Sequence, residues 1–551
     1  MADTEHLIRL GEQLFNKRSG LLSLWQEIAE NFYPERADFT GARNVGAELA
    51  SNLSTSYPIL ARRDLGNAFG AMLRPSSKNW KHIRVSRWEG IGHEARAWLE
   101  HVDTTMSRAM YDRHSQFTRA TKEADHDFAA FGQAVIQTSL NRQANGLLYR
   151  SWHLRDVAWV ENENGAVDTV FRKWKPTLTD LNHFFPGKLH PSLQTRLMKE
   201  PYSETTVWHV IIPADNSGSD KKWKTPYVSF YIDVENKHIM EEVGLKTQEY
   251  VIPRWQTVSG SQYAYSPATV AALPDARLIQ AMTSVLLEAG EKAVTPPMLA
   301  VQDAIRSDIS VYAGGITWVD AEYDERLGEV LRPMTQDHHG VPLGLDMARD
   351  TRAMIAEAFF LNKISLPQPG NEMTAYEVGQ RVQEYIRQAL PLFEPMESEY
   401  NGPLCENTFE IMLRAGAFGP MDTIPQELLG EEYSFLFESP LRDATEREKG
   451  QRFMEAKSML ADAAALDPGS VHVIDAKAAL RDVLQAIGVP TKWTRSEEEV
   501  KAREDAQIQA QRTQELLANM QTAANIGKTA NEAGIAPGAG ALPGSPAGVS
   551  V

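Results

Sequence analysis

The chain contains one cysteine, Cys405, in 551 residues, so it can form no internal disulfide and has no Cys-x-x-Cys spacing for a zinc ribbon or redox pair. That usage fits assembly in a reducing cytoplasm. His-Glu-x-x-His and Gly-x-Ser-x-Gly are also missing, which excludes the usual zincin and hydrolase readings. Basic charge is in short supply: 56 Lys and Arg stand against 73 Asp and Glu, a formal net charge of −17. Duplex binders gain affinity by exchanging condensed counterions for Lys and Arg, so a chain this acidic is expected to hold DNA weakly over most of its surface. No apolar run approaches the roughly eighteen residues of a membrane span. Met1 to Leu10 mixes Asp3, Glu5, His6 and Arg9, unlike a signal peptide. The expectation is a soluble protein with no membrane partner.

Apolar residues make up 42% and charged residues 23%, and helical periodicities outnumber strand patterns. The fold class read from this is α+β and helix-rich, in three or four structural units. Sites for chemistry are scarce. Ile526-Gly527-Lys528-Thr529 looks like the end of a phosphate loop, but Thr522 stands where the first glycine is required and no strand precedes it. Asp125-His126-Asp127 reads as an exposed polar face, since adjacent helical residues point in different directions. Asp337-His338-His339, beside Gly340 and Pro342, reads as a turn. Carboxylate pairs are too common in an acidic chain to mark a glycosidase. No catalytic residue, metal site or cofactor is assigned.

Along the chain, Leu7, Leu10 and Leu14, then Leu21, Trp25, Ile28 and Phe32, predict two amphipathic helices broken at Ser19-Gly20, with Trp25 and Phe32 as core anchors. Helices are expected over 61–73, 92–113 and 117–131, the last ending at Phe131-Gly132. Trp80 and Ile83 predict a short strand. Strands follow from about Ala134, with a turn at Asn162 to Gly165 and a hairpin of Thr206–Ile212 with Tyr227–Asp233.

The organising stretch runs from Gly260 to Leu390. Ser266 is placed to cap a helix whose first turn holds Pro267, and Pro274 is expected to bend or restart it before Leu278, Met282, Val285 and Leu286 recur at helical spacing. Thr295-Pro296-Pro297, Val311 to Val319 and Gly340-Val341-Pro342 read as short strands and turns, an insert between two helices. The second helix starts near Gly344 and stops near Leu361. A polar, Pro-rich loop, Asn362 to Glu372, leads to the capping box Thr374-Ala375-Tyr376-Glu377. Beyond it, Phe409, Met412 and Leu413 continue a helical layer to Gly416, Tyr433 to Phe437 reads as a strand, and a Gln/Ala/Glu-rich helix runs from Ser496 to about Met520.

The order Tyr263, Ser266-Pro267-Ala268, Leu273-Pro274-Asp275, two helices around a compact insert, and Met373-Thr374-Ala375-Tyr376-Glu377-Val378 with Arg381 resembles the portal proteins, or head-to-tail connectors, of short-tailed bacteriophages. The resemblance spans most of Trp25 to Lys501. The family often carries Gly after the position of Tyr263, where this chain has Ala264. The resemblance implies a portal fold with an N-terminal wing (1–265), a first stem helix (266–292), a clip (293–342), a second stem helix (343–361), a tunnel loop (362–373), a C-terminal wing (374–440), a helical crown (441–531) and a disordered tail (532–551).

It also implies a non-enzymatic, usually dodecameric ring of copies at the capsid portal vertex of a virion, assembled in the host cytoplasm, through which the genome is packaged and ejected. Implied partners are the terminase large subunit, a tail adaptor protein, the major capsid and scaffolding proteins, and double-stranded DNA passing through the channel. Tyr312, Trp318, Tyr323 and Arg326 would belong to the docking surface of the clip, and Asn362, Lys363 and Gln368 to the tunnel loop facing DNA. Lys363 is either a solvated loop lysine or a cation aimed at phosphates. An acidic wall that does not grip phosphates would let the duplex slide. Two other classes stay open: a virion-associated enzyme such as a peptidoglycan hydrolase, and a soluble tail adaptor.

Overall fold

A computed structural model describes residues 4–41, 53–75, 79–85, 91–216, 223–300, 331–333, 340–364 and 396–437, then 454–460, 476–486, 493–495 and 497–532, with single positions 46, 48, 49, 51 and 489. The chain divides into two compact units, Met1–Glu89 with Trp98–Glu448, and Gly90–Ala97 with Lys449–Val551.

In the first unit, helices α1 (Thr4–Lys17) and α2 (Ser19–Phe32) break at Arg18, one residue ahead of the expected site. Helix α3 (Tyr57–Leu73) is followed by strand β1 (Lys81–Val85), α4 (His93–Met110), which belongs to this unit from Trp98 onward, and α5 (Phe117–Phe131). Helices α2, α3 and α5 form the centre, where Trp25, Phe32, Phe69, Phe128 and Phe131 are almost wholly buried. Both expected anchors, Trp25 and Phe32, are in this core. Burial of such rings contributes roughly 1.5–3 kcal/mol each.

Strands β2 (Ile136–Leu140) and β3 (Leu147–Ser151) pair with each other, and β2 also pairs with β9 (Tyr250–Val251). A separate antiparallel sheet has the order β4 (Val157–Glu161), β5 (Val167–Trp174), β6 (Val207–Pro213), β7 (Tyr227–Asp233) and β8 (His238–Leu245). Its period-two alternation splits the side chains between two faces. Trp208, Val210 and Ile212 join Leu7, Ile8, Leu14 and Phe15 of α1 on one face. There Gly11 is required by contact, because an added Cβ would meet the Trp208 ring at 2.2 Å. The other face packs on helices α6 (Leu178–Phe184) and α7 (Pro191–Lys199) through Leu178, Leu181, Leu193, Val207 and Met240. The expected hairpin is β6 with β7, but α6, α7 and β8 went unforeseen.

Beside this second face lies a buried polar network. His209 contacts the Tyr250 hydroxyl at 2.5 Å and Ser229 Oγ at 2.8 Å, and Arg172 Nε donates to the same hydroxyl at 2.7 Å. Burial and the Arg172 charge push the His209 pKa far down, so its imidazole is neutral.

After strands β10 (Gln256–Thr257) and β11 (Ala264–Tyr265) come the long helix α8 (Pro267–Val294), the paired strands β12 (Met298–Ala300) and β13 (Leu331–Pro333), then α9 (Gly340–Ala358) and the short α10 (Leu361–Ile364). Ala264 lies in an extended strand, a conformation open to alanine as readily as to glycine. A π turn, Glu397–Asn401, leads into α11 (Gly402–Arg414), and β14 (Tyr433–Phe437) pairs with β1. Gly416, at φ +72, follows the end of α11 as expected of a helix-terminating glycine.

The second unit includes α12 (Ala476–Ala486) and α13 (Glu497–Glu532). The latter runs twelve residues past the expected Met520, 36 residues in all. Ile526 to Thr529 lies inside it, which gives the rejected phosphate loop a purely helical setting. Asp337-His338-His339, the capping box at Thr374 and residues 533–551 lie outside the described residues.

Candidate functional site

Helices α8 and α9 form an antiparallel hairpin whose two ends differ in burial. The root is built first. Ser266 is the N-cap of α8, and its Oγ accepts from Thr269 N at 3.4 Å while donating to Ala129 O at 2.8 Å. Thr269 Oγ1 donates to Ala130 O at 2.8 Å. Two hydroxyls of α8 therefore satisfy carbonyls that the end of α5 leaves open, and the positive end of one helix dipole faces the negative end of another. Gly132, at φ +71, closes the joint: a Cβ there would lie 2.1 Å from Tyr265 C and 2.2 Å from Ser266 N. Gly132 O also accepts from Trp255 N at 2.8 Å. The Phe131-Gly132 helix stop was legible in the sequence; its role as a socket for α8 was not.

Further along α8, Arg277 Nε donates to Glu27 Oε1 at 2.7 Å. Gln280 Oε1 accepts from Ser54 N at 2.7 Å and Thr55 N at 2.9 Å, while its Nε2 donates to Thr55 O at 2.9 Å. Pro274 does not restart the helix, the second of the two expected effects: α8 is one element from Pro267 to Val294, about 42 Å long. Packing of Leu273, Ala276 and Ile279 holds the helix across the missing N–H.

Opposite, Ala348, Thr351, Ile355 and Phe359 of the α9 segment are buried, and Phe359 packs on Phe32 with ring centroids 5.4 Å apart. Gly344 lies against Leu286, where a Cβ would come within 2.9 Å. Beyond Ile279 no residue of α8 is buried. Val285 is 64%, Leu287 57%, Val294 84% and Leu343 64% exposed. Within a single chain these apolar side chains are left exposed, and at about 100° per residue Val285 and Leu287 point to opposite sides of the α8 shaft.

Asp125-His126-Asp127 is corrected from an exposed face to a buried one, because two arginines from distant segments neutralise it. Asp127 pairs with Arg36 at 3.0 Å, and Asp125 pairs with Arg74, whose other arm donates to Asn401 Oδ1 at 2.8 Å. Burial pushes both carboxyls up and the guanidinium groups pull them back. Burial, with Arg62, Lys122 and Arg63 nearby, lowers the His126 pKa to about 4.

Among the described residues no group of three or more His, Cys, Asp or Glu is placed to hold a metal. Burial pushes the Cys405 thiol up to about 12, far from a nucleophile's range. The hairpin combines a locked root with an exposed apolar shaft.

One sequence expectation needs a further correction. Helix α8 is long and apolar enough to cross a membrane by length and composition, with mean hydropathy 1.3 over its best window. Its alanines supply this hydropathy without an uninterrupted run of large apolar residues. Asn362 and Lys363 do not lie in a loop; they fall in α10, which begins directly after Phe360, and Asn362 is exposed. Gln368, Tyr312, Trp318, Tyr323 and Arg326 lie outside the described residues. Gly340 to Pro342 forms the first turn of α9 rather than a strand or turn.

A family model described as bacteriophage head to tail connecting protein matches residues 4–494. The chain is 26% identical over 450 residues to a probable portal protein of Bordetella phage BPP-1, covering 78% of each chain. It is 23% identical over 532 residues to a portal protein of Salmonella phage epsilon15, covering 93% of each. Among solved structures, a chain from the neck of an empty gene transfer agent particle is 10% identical, with 75% of this chain and 89% of that one covered at a TM-score of 0.33. The family match spans nearly the whole sequence, and on that basis the chain belongs to the bacteriophage head to tail connecting proteins.

Proposed function

We propose that this chain is a portal subunit whose copies close a ring, dodecameric in this reading, at the portal vertex of a phage virion. The ring is the conduit for genome entry and exit, and its work is structural rather than enzymatic. The observation that carries the reading is the contrast along the α8–α9 hairpin, buried at the root and apolar but exposed along the shaft. Neighbouring copies on the two sides of the hairpin would cover those side chains. Such a head-to-tail contact makes a ring if the rotation closes and a filament if it does not. The portal names of the two phage relatives support it. A membrane role for α8 is disfavoured by its root, where buried Ala268, Thr269, Ala272 and Ile279 sit within the protein.

In this reading residues 293–342, including Tyr312, Trp318, Tyr323 and Arg326, dock first the terminase large subunit and then a tail adaptor. Major capsid and scaffolding proteins contact the outer body, and double-stranded DNA passes along the channel past Asn362, Lys363 and Gln368. The boundaries follow the wing, stem, clip, tunnel and crown order given above, with assembly in the host cytoplasm.

Two tests follow. Negative-stain images of the purified protein should show rings with a central hole. Val285→Glu with Leu287→Glu should abolish them and shift the light-scattering mass toward monomer, with unchanged circular dichroism, because both side chains are already exposed in the isolated chain. Unmodified protein that stays monomeric at every concentration would overturn the reading. Lys363→Glu should leave rings intact and lower DNA packaging or retention, most at low salt where phosphate attraction is least screened. Normal packaging and retention across salt concentrations would remove Lys363 from the channel's electrostatics.

A further inference from the structure

Arg254 and Trp255 lie between β9 and β10. From these adjacent positions their side chains reach two places far apart in sequence. Arg254 is 6% exposed. Its Nε donates to Glu399 Oε2 and its Nη2 to Glu399 Oε1, both at 3.0 Å, and its backbone N–H donates to the same Oε2 at 3.1 Å. Nη2 also donates to Gly165 O at 2.8 Å, and Nη1 pairs with Glu161. Glu399 belongs to the π turn ahead of α11. There the wider turn leaves Glu399 facing Arg254 while Tyr400 and Asn401 are fully buried.

Trp255 faces the other way. Its ring stacks on Phe128 at 5.3 Å, meets Phe69 edge-on at 5.2 Å, and lies 6.2 Å from the ring of Phe360. Phe360 follows the buried Phe359, just past the end of α9, and has φ +56, a left-handed conformation that is unfavourable for a non-glycine residue. Such a conformation persists only where its surroundings hold it.

We propose that Arg254-Trp255 is a positioning pair that couples the root of α9 to the π turn ahead of α11. Consecutive α-carbons are about 3.8 Å apart, so a shift of one residue of the pair displaces the other. Phe360 supplies a second arrangement: released from Trp255, its φ relaxes to the right-handed region and the α9 root changes direction. Loss of the Glu399 pair lets Arg254, and with it Trp255, move away from Phe360. By the reciprocity of coupling, release of Phe360 loosens the π turn.

Hydrogen exchange on the full-length protein tests this from both ends. Glu399→Gln keeps the shape and removes the charge-assisted bidentate pair. It should speed exchange of the Phe359, Phe360 and Leu361 amides roughly tenfold or more. Phe360→Gly removes the ring and the strain together, and should speed exchange of the Tyr400 and Asn401 amides by a similar factor. Leu193→Ala, in the distant α7 cluster, is the control for general destabilisation and should move neither set. Faster exchange confined to the mutated end in both variants, or equal acceleration by Leu193→Ala, overturns the coupling. If Glu399→Gln fails to fold, Phe360→Gly decides alone, since it leaves no buried charge unpaired.

Discussion

Gly132→Ala is expected to lower stability by on the order of 4 kcal/mol, among the largest effects available to a single methyl group. Two costs combine. At φ +71 any Cβ is strained, and this Cβ would also lie 2.1 Å from a backbone carbon of Tyr265. Backbone cannot swing aside as a side chain can, so α8 must withdraw from α5, and the Ser266 and Thr269 bonds to Ala129 and Ala130 lengthen or break. Gly165→Ala separates the two contributions. Gly165 has φ +77 but nothing within 4 Å of its Cβ position, so its cost should be limited to about 1–2 kcal/mol. Thermal unfolding of both variants checks the difference. Equal losses would mean that the close approach contributes nothing.

Arg74→Met should cost about 3–5 kcal/mol near neutral pH, because it leaves the buried Asp125 carboxyl without its partner. The loss should depend on pH in a stated direction. Without Arg74, only burial acts strongly on Asp125 and raises its folded pKa above the unfolded value. A carboxyl raised in this way is tolerated below its unfolded pKa, near 4, and becomes destabilising as pH rises through its folded pKa. The variant should therefore lie closest to the parent in acid and diverge toward neutrality. Arg74→Met with Asp125→Leu should recover most of the loss, since removing both charges leaves none to desolvate. If the single variant is as stable as the parent at neutral pH, the pair has no structural weight.

These carboxylates mark where sequence reading stopped. Helix-forming segments were legible because local signals place them: Ser266-Pro267 opens α8, the leucine and aromatic spacing marks α1 and α2, and Phe131-Gly132 closes α5. The partners of Asp125 and Asp127 are not local. Arg74 and Arg36 lie 51 and 91 residues away, and only the packing of α2, α3 and α5 brings them in. Without those partners, two acids flanking a histidine read as solvent-facing. Helices α6 and α7 are short, 7 and 9 residues, and too brief for a clear period amid strand-like sequence. The polar run after α9 read as a loop from its prolines and glycine, yet its first residues enter α10 because the turn is made one step earlier, at Phe360. Of the candidate site, the hairpin and its cap were visible in advance. The socket, the Gln280 clasp on residues 54–55 and the Arg254 contacts were not, since each depends on which surfaces meet.

The joint between α5 and α8 bears on how accurately copies of this chain must be made alike. In the proposed ring every subunit repeats the same tilt of its shaft, and a small error of pitch shared by all copies is multiplied by the number of copies before the last meets the first. A joint that joins backbone to backbone, with no room for a single methyl group, holds that angular error down by leaving almost no play. Gly132 is thus an alignment tolerance as well as a packing residue. Gly132→Ala protein that still folds at low temperature should appear by electron microscopy as open arcs and short spirals rather than closed circles.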